Sequence, residues 1–247
     1  MLSHAELPSI GGGPPLPPIA RPASAGAQAF AALRHAIVTL GLRPGQSFSE
    51  QEMAGRLRIS RTPIREAFIK LAEAGLIEVL PQRGTLVRRI SAKAVADARF
   101  VREAVETAVL REAAAAAAAG RLPPSFSAAA RGLIAAQREA AAGSDLERFL
   151  SLDDAFHRAF AVGVGRAHAW AVVEAQKAQM DRVRFLSLPG ATPVARLIDQ
   201  HEAILDAVER GDANASEAAM RAHLTEVLDA LEPLRRRYPD LFEPEGG

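Results

Sequence analysis

Apolar residues recur at Phe30, Leu33, Ile37 and Leu40 ahead of Gly41, which is the spacing of one helix face over residues 27–41. Residues 50–57 form a second short helical pattern, and 58–60 are too few to be more than a tight connection. A third helix follows, with Ile64, Phe68, Ile69, Leu71 and Leu76 as its apolar side and Gly75 as its end. Ser60 is placed to cap it. Residues 77–80 and 85–89 then alternate as two short strands around a turn at 81–84, a two-stranded wing. From Ser91 on the period is helical throughout, in segments at 91–119, 125–142, 145–163, 167–187, 192–210 and 213–236. Pro and Gly punctuation separates most of them. The pattern predicts a mainly α protein: a winged helix-turn-helix over 26–90 and an all-α antiparallel helical bundle over 91–237. Residues 1–25 are rich in Pro, Gly, Ala and Ser and predict a flexible tail, as do 238–247.

Composition narrows the classes. Of 247 residues 49% are hydrophobic, enough for a core, yet no run nears the roughly 20 apolar residues of a membrane span. The opening MetLeuSerHis has no charged region followed by an apolar block, so no secretory signal is expected. With no cysteine, disulfides and thiolate metal sites are excluded, and a cytoplasmic location is expected. The net charge of +1 hides an asymmetry. Residues 26–90 carry ten Arg and Lys against five Asp and Glu, while 91–247 carry nineteen against twenty-three. A basic module joined to a mildly acidic one suits a DNA-facing part and a part that does other work.

The basic module concentrates its chemistry at the start of the third helix. Arg61 and Arg65 are one turn apart on one face, and a guanidinium fork matches guanine O6/N7 or a phosphate. Ser60 and Thr62 beside them suit backbone phosphates. Arg34 on the first helix is a further phosphate candidate. Arg83 and Gly84 sit at the wing tip, where glycine lets the backbone approach a minor groove closely. Two such helices in a homodimer would read an inverted repeat in double-stranded DNA.

The motifs LRHAI (33–37), LRPGQ (42–46), SRTPIREA (60–67), LAEAGLIE (71–78) and RGTLV (83–87) resemble the DNA-binding domain of GntR-type bacterial transcription regulators. REAVE (102–106), DDAFH (153–157), HEAILDAVERGD (201–212) and AHL (222–224) resemble the FCD effector domain of the FadR-like branch. The resemblance implies a ligand-responsive regulator, usually a repressor. It also implies major-groove approach by Arg61 and Arg65, a wing-tip contact, and a metal site. Asp153 and His157 are four apart and share a helix face, and His201 and His223 come from two later helices. That set suits a divalent metal with open positions: zinc first, nickel or manganese as alternatives. Arg102 and Glu106 read either as an ordinary i,i+4 surface pair or, on the resemblance, as an inward guanidinium for a small carboxylate effector. Arg182 and Arg184 are further effector candidates. The linker near Ser91 is expected to carry the signal between the domains. Two other readings stay open: a metal-dependent hydrolytic enzyme in the bundle, and a DNA-binding regulator whose metal is only structural.

Overall fold

The computed structural model describes residues 23–81, 84–188, 190 and 192–244. The expected tail over 1–25 lies almost wholly outside the described residues. Helix α1 (Ala25–Val38) starts on Ser24, whose side chain accepts from the Ala27 amide, and buries Ala29, Leu33 and Ile37. Strand β1 (Ser47–Phe48) leads into α2 (Glu50–Leu57), capped by Ser49. Arg58 then takes a left-handed conformation (φ 55°, ψ 43°) and turns the chain sharply into α3 (Arg61–Glu73). The far end of α3 closes on Gly75 (φ 67°), with the Leu76 amide donating back to Leu71 O at 2.9 Å. Phe68 meets Phe48 edge to face, with ring centroids 5.4 Å apart, over a core that includes Ile64, Leu71, Leu76 and Ile77.

Two local expectations change. Ile69 is 60% exposed, not buried: it sits about 100° round the helix from Phe68, on the outer flank. Ser60 is the N-cap residue by position, yet its side chain makes no capping hydrogen bond. The wing also gains a strand. β2 (Ile77–Leu80) and β3 (Gly84–Val87) pair antiparallel with Ile77 opposite Val87, and β1 joins the other edge of β3, giving the order β1-β3-β2. A two-residue strand has no alternation to read, so the sequence pattern shows only two strands.

The bundle consists of α4 (Ala92–Ala118), α5 (Pro124–Ala142), α6 (Leu146–Gly163), α7 (Ala167–Gln176), α8 (Ala178–Ser187), α9 (Val194–Glu209), α10 (Ala213–Asp229) and α11 (Leu231–Arg237). Two expected helices are each broken in two, at Lys177 and at Ala230. No Pro or Gly stands beside Lys177, so no breaker announced that joint, whereas Pro233 in the first turn of α11 has no amide to donate to Asp229 and ends α10 there. The long α4 packs on α6, α7, α8, α9 and α10. Phe149, Phe156, Phe160, Ile204, Leu205 and Met220 fill the interior. Among the described residues no helix is long and apolar enough to cross a membrane.

The flexible tail expected from 238 is corrected for its described part. Residues 239–241 form a 3₁₀ turn, Phe242 is buried, and Ile90 bonds across to Leu241 and Glu243. Phe242 and Leu241 give this segment apolar surface to bury against Ile90, Val95 and Val183.

Candidate nucleic-acid interface and metal centre

Ser60, Arg61, Thr62 and Arg65 are all exposed at the start of α3, clear of the core that holds the helix body. Arg61 Nη2 and Arg65 Nε both donate to one oxygen of Glu50, each at 2.9 Å. Glu50 stands on the first turn of α2. The hydrogen bond from Arg61 holds its carboxyl below the usual range, against the effect of burial. One carboxylate therefore fixes two guanidinium groups side by side before any ligand arrives. Gly84 lies exposed at the start of β3 with φ 87°, a conformation glycine adopts freely. Arg83, its expected partner at the wing tip, is outside the described residues. Arg34 is placed differently from the expected phosphate contact. It is turned to the bundle, donating to Asp181 of α8 at 2.5 Å, so it does not extend the exposed cationic face of Arg61 and Arg65.

The second site is built where α6, α9 and α10 converge. Asp153 and His157 project from α6 one turn apart, His201 from α9 and His223 from α10, and all four are buried. One ligand-type atom from each lies within 4.8 Å of the others. His157 Nε2 and His223 Nε2 are 3.2 Å apart, and His201 Nε2 is 3.5 Å from Asp153 Oδ1. The other ring nitrogens face a second layer. His157 Nδ1 lies 2.5 Å from Glu106 Oε2, His201 Nδ1 2.8 Å from Gln137 Oε1, and His223 Nδ1 2.9 Å from Gln200 Oε1.

The two amides are themselves oriented. Gln137 Nε2 donates to Leu152 O at 3.2 Å, and Gln200 Nε2 donates to Glu226 at 2.8 Å. Their carbonyl oxygens therefore face the rings, and each Nδ1 must be the donor. Nε2 of His201 and of His223 is left as a lone pair aimed inward. His201 Nε2 is buried with no hydrogen-bond partner. Burial pushes the His201 imidazolium down to about 3 and that of His223 well below its ordinary value, so both rings are neutral, the form that binds metal. Inward lone pairs and one carboxylate fit a divalent cation.

Charge around this centre is balanced by pairs. Arg102 is buried, donating through Nε to Glu106 at 2.5 Å, which settles its two readings against the surface pair. Burial raises the Glu106 pKa, but Arg102 and His157 outweigh it and bring the carboxyl to about 2. Arg184 donates to Asp153, and to Asp154 at 2.9 Å and Asp181 at 3.1 Å. Its attraction holds Asp153 below the usual range in spite of burial. Arg182 is also fully buried but points away, donating to Arg88 O at 2.8 Å. A cavity of about 40 Å³ beside the centre is lined by Arg102, Asp153, Arg184, Ser187, Thr192, His223 and Glu226, and otherwise by apolar residues.

Comparison with known proteins accounts for both halves. Residues 25–87 match the gntR family of bacterial regulatory proteins, and residues 97–226 match the FCD domain. The chain is 40% identical over 210 residues to an HTH-type transcriptional regulator in an unstable DNA locus of Streptomyces ambofaciens, covering 85% of this chain and 86% of that one. It is 38% identical over 218 residues to the HTH-type transcriptional repressor RspR of Escherichia coli, covering 88% and 93%. The fold is that of E. coli McbR/YncC, with a TM-score of 0.72 at 18% identity over 87% of this chain and 99% of that one. The chain belongs to the GntR family.

It is thus a GntR-type transcriptional regulator with an FCD domain, and its helix-turn-helix is a DNA-binding module. The gntR match takes in Ser60 to Arg65, and the FCD match takes in Asp153, His157, His201 and His223. Four residues of these sites escaped the sequence reading: Glu50, Gln137, Gln200 and Asp181. Gln137 left a faint signal, as the lone polar residue on the apolar face of α5 with Ala130, Ile134 and Ala140. Glu50 yields a direct expectation for this GntR domain. Replacing it with alanine frees both guanidinium groups and should raise affinity for random-sequence duplex about two- to fivefold at low salt, the scale of an exposed ion pair. Fluorescence anisotropy reads this, and unchanged affinity would show that Glu50 does not restrain the arginines.

Proposed function

We propose that this regulator is a cytoplasmic repressor that binds an inverted-repeat operator as a homodimer and responds to a small carboxylate bound beside a divalent metal. In this reading Arg61 and Arg65 meet the major groove, Ser60 and Thr62 meet backbone phosphates, and Arg83 and Gly84 of the wing meet the minor groove. The RspR relative is itself named a repressor. Asp153, His157, His201 and His223 hold the metal, zinc by their N and O donor set, with nickel or manganese as alternatives. The bound ion supplies positive charge and open coordination positions for a carboxylate.

The observation that carries the effector reading is Arg102. Its Nη2 is buried and has no hydrogen-bond partner, although Nε is committed to Glu106, and it lines the cavity next to Asp153 and His223. A buried guanidinium donor left open is costly unless a ligand completes it. Arg102 would orient one carboxylate oxygen, and Leu197, Leu224 and Val227 would keep water from the pair.

A thermal-shift screen of small organic acids tests this on protein stripped by chelator and reloaded with zinc, nickel or manganese. An acid at about a hundredfold its Kd should raise Tm by about 5–10 °C in the loaded protein. The same rise in stripped protein would leave the metal a structural role only.

A further inference from the structure

Helix α8 touches the metal centre with one residue and the DNA-binding domain with four others. Its Arg184 sits on the Asp153 carboxylate and donates also to Asp154 and Asp181. Asp181, one turn earlier, accepts Arg34 of α1 at 2.5 Å. Lys177, at the α7–α8 joint, closes the cluster with bonds of 2.6 Å to Asp154 and 2.8 Å to Asp181. Two further polar links run from α8 to the winged domain. Gln179 Nε2 donates at 2.6 Å to the carbonyl of Gly75, the residue that ends α3. Arg182 donates to the carbonyl of Arg88, just past the wing. Ala178 is buried in the same core as Leu33, Ile37 and Phe68. The first turn of α8 therefore belongs to the DNA-binding core, while its last turn lines the effector cavity.

We propose that α8, through the Arg34–Asp181 ion pair, transmits the state of the metal centre to the recognition helix α3 of the same chain. This rests on the reading of Asp153 and the three histidines as a metal site. It moves the signal away from the linker near Ser91. There Ile90 is clamped on both sides by Leu241 and Glu243, which makes the linker a fixed hinge post.

The direction follows from charge. Asp153 shares its negative charge with Arg184. Once Asp153 also serves a divalent cation, the guanidinium loses most of that attraction and is repelled by the added positive charge nearby. Arg184 then leans on its remaining partners, Asp154 and Asp181. Asp181 already serves Lys177, Arg184 and Arg34 with two oxygens, so a gain by Arg184 is a loss by Arg34. Arg34 has no second partner in the cluster and is its most solvent-accessible cation, so its bond is the one that gives way. Loading the centre thus loosens the seat of α1 and α3 on α8. Coupling is reciprocal, so fixing the DNA-binding domain alters metal affinity by the same factor.

Hydrogen exchange on the full chain, stripped by chelator and then reloaded with zinc alone, tests the link. In the wild type, zinc should speed exchange at amides of 25–38 and 70–76 by at least about fivefold. In Arg34→Gln these amides should exchange fast in both states, with zinc stoichiometry unchanged. Arg34→Lys should restore most of the response. Gln179→Ala, which leaves the ion cluster whole, should blunt the response at 70–76 only. An undiminished zinc response in Arg34→Gln and Gln179→Ala overturns the link and leaves the metal reading intact. A wild type that takes up zinc without any change at these amides does the same. A wild type that takes up none of zinc, nickel and manganese overturns both.

Discussion

Replacing Arg65 with alanine is expected to weaken operator binding by about 2–6 kcal/mol, since a dimer would lose two guanidinium forks worth about 1–3 kcal/mol each. That is a loss of roughly thirtyfold to twenty-thousandfold, enough to remove the shifted band in a gel assay at ordinary protein concentrations. The fold should survive. Arg65 is exposed at the surface of α3, and among the described residues its partner is Glu50, another surface group. Surface pairs of this kind contribute about 0–1 kcal/mol to stability. Far-UV circular dichroism and zinc content should therefore match the wild type while binding to a fragment from the chain's own promoter region disappears. Unchanged affinity would remove α3 from the groove.

His201→Ala is expected to act on the other half. Losing one of four donors should lower zinc affinity by more than the roughly 10–100-fold typical of losing an outer partner. The side chain is also fully buried, packs on Phe156 with centroids 4.4 Å apart, and donates through Nδ1 to Gln137 Oε1. Alanine leaves a cavity and an orphaned amide, a cost of about 2–4 kcal/mol that persists in zinc-free protein. Elemental analysis and urea denaturation of stripped and loaded protein separate the two losses. Full zinc occupancy in the variant would exclude His201 from the set. Operator binding by stripped His201→Ala protein should persist, because none of its own atoms reach the winged domain.

The two sites were readable to different depths. Arg61, Arg65 and Ser60 were legible because a helix places residues four apart on one face, whatever surrounds it. Asp153 and His157 were legible for the same reason, and His201 and His223 through the motifs around them. The contacts that orient the imidazoles were not. Glu106, Gln137 and Gln200 come from α4, α5 and α9, and each serves a histidine on a different helix. Gln200 precedes His201 in the chain yet bonds His223, so adjacency in sequence points to the wrong ring. Arg34 failed in the same way: an arginine on an amphipathic helix looks solvent-bound until Asp181, 147 residues later, is known to face it.

Periodicity and local chemistry alone fixed the winged helix-turn-helix, the helical bundle and the cationic tip of α3. These depend on side-chain spacing within one turn or one pleat, which the order of residues sets directly. Helix packing decided the rest: the third strand of the wing, the break at Lys177, the folded-back segment at 238–244, and the inward aim of the histidines. Each of these turns on which charges and apolar faces meet across elements far apart in the chain. A buried ion or amide takes its partner from the fold because, out of water, it has no other.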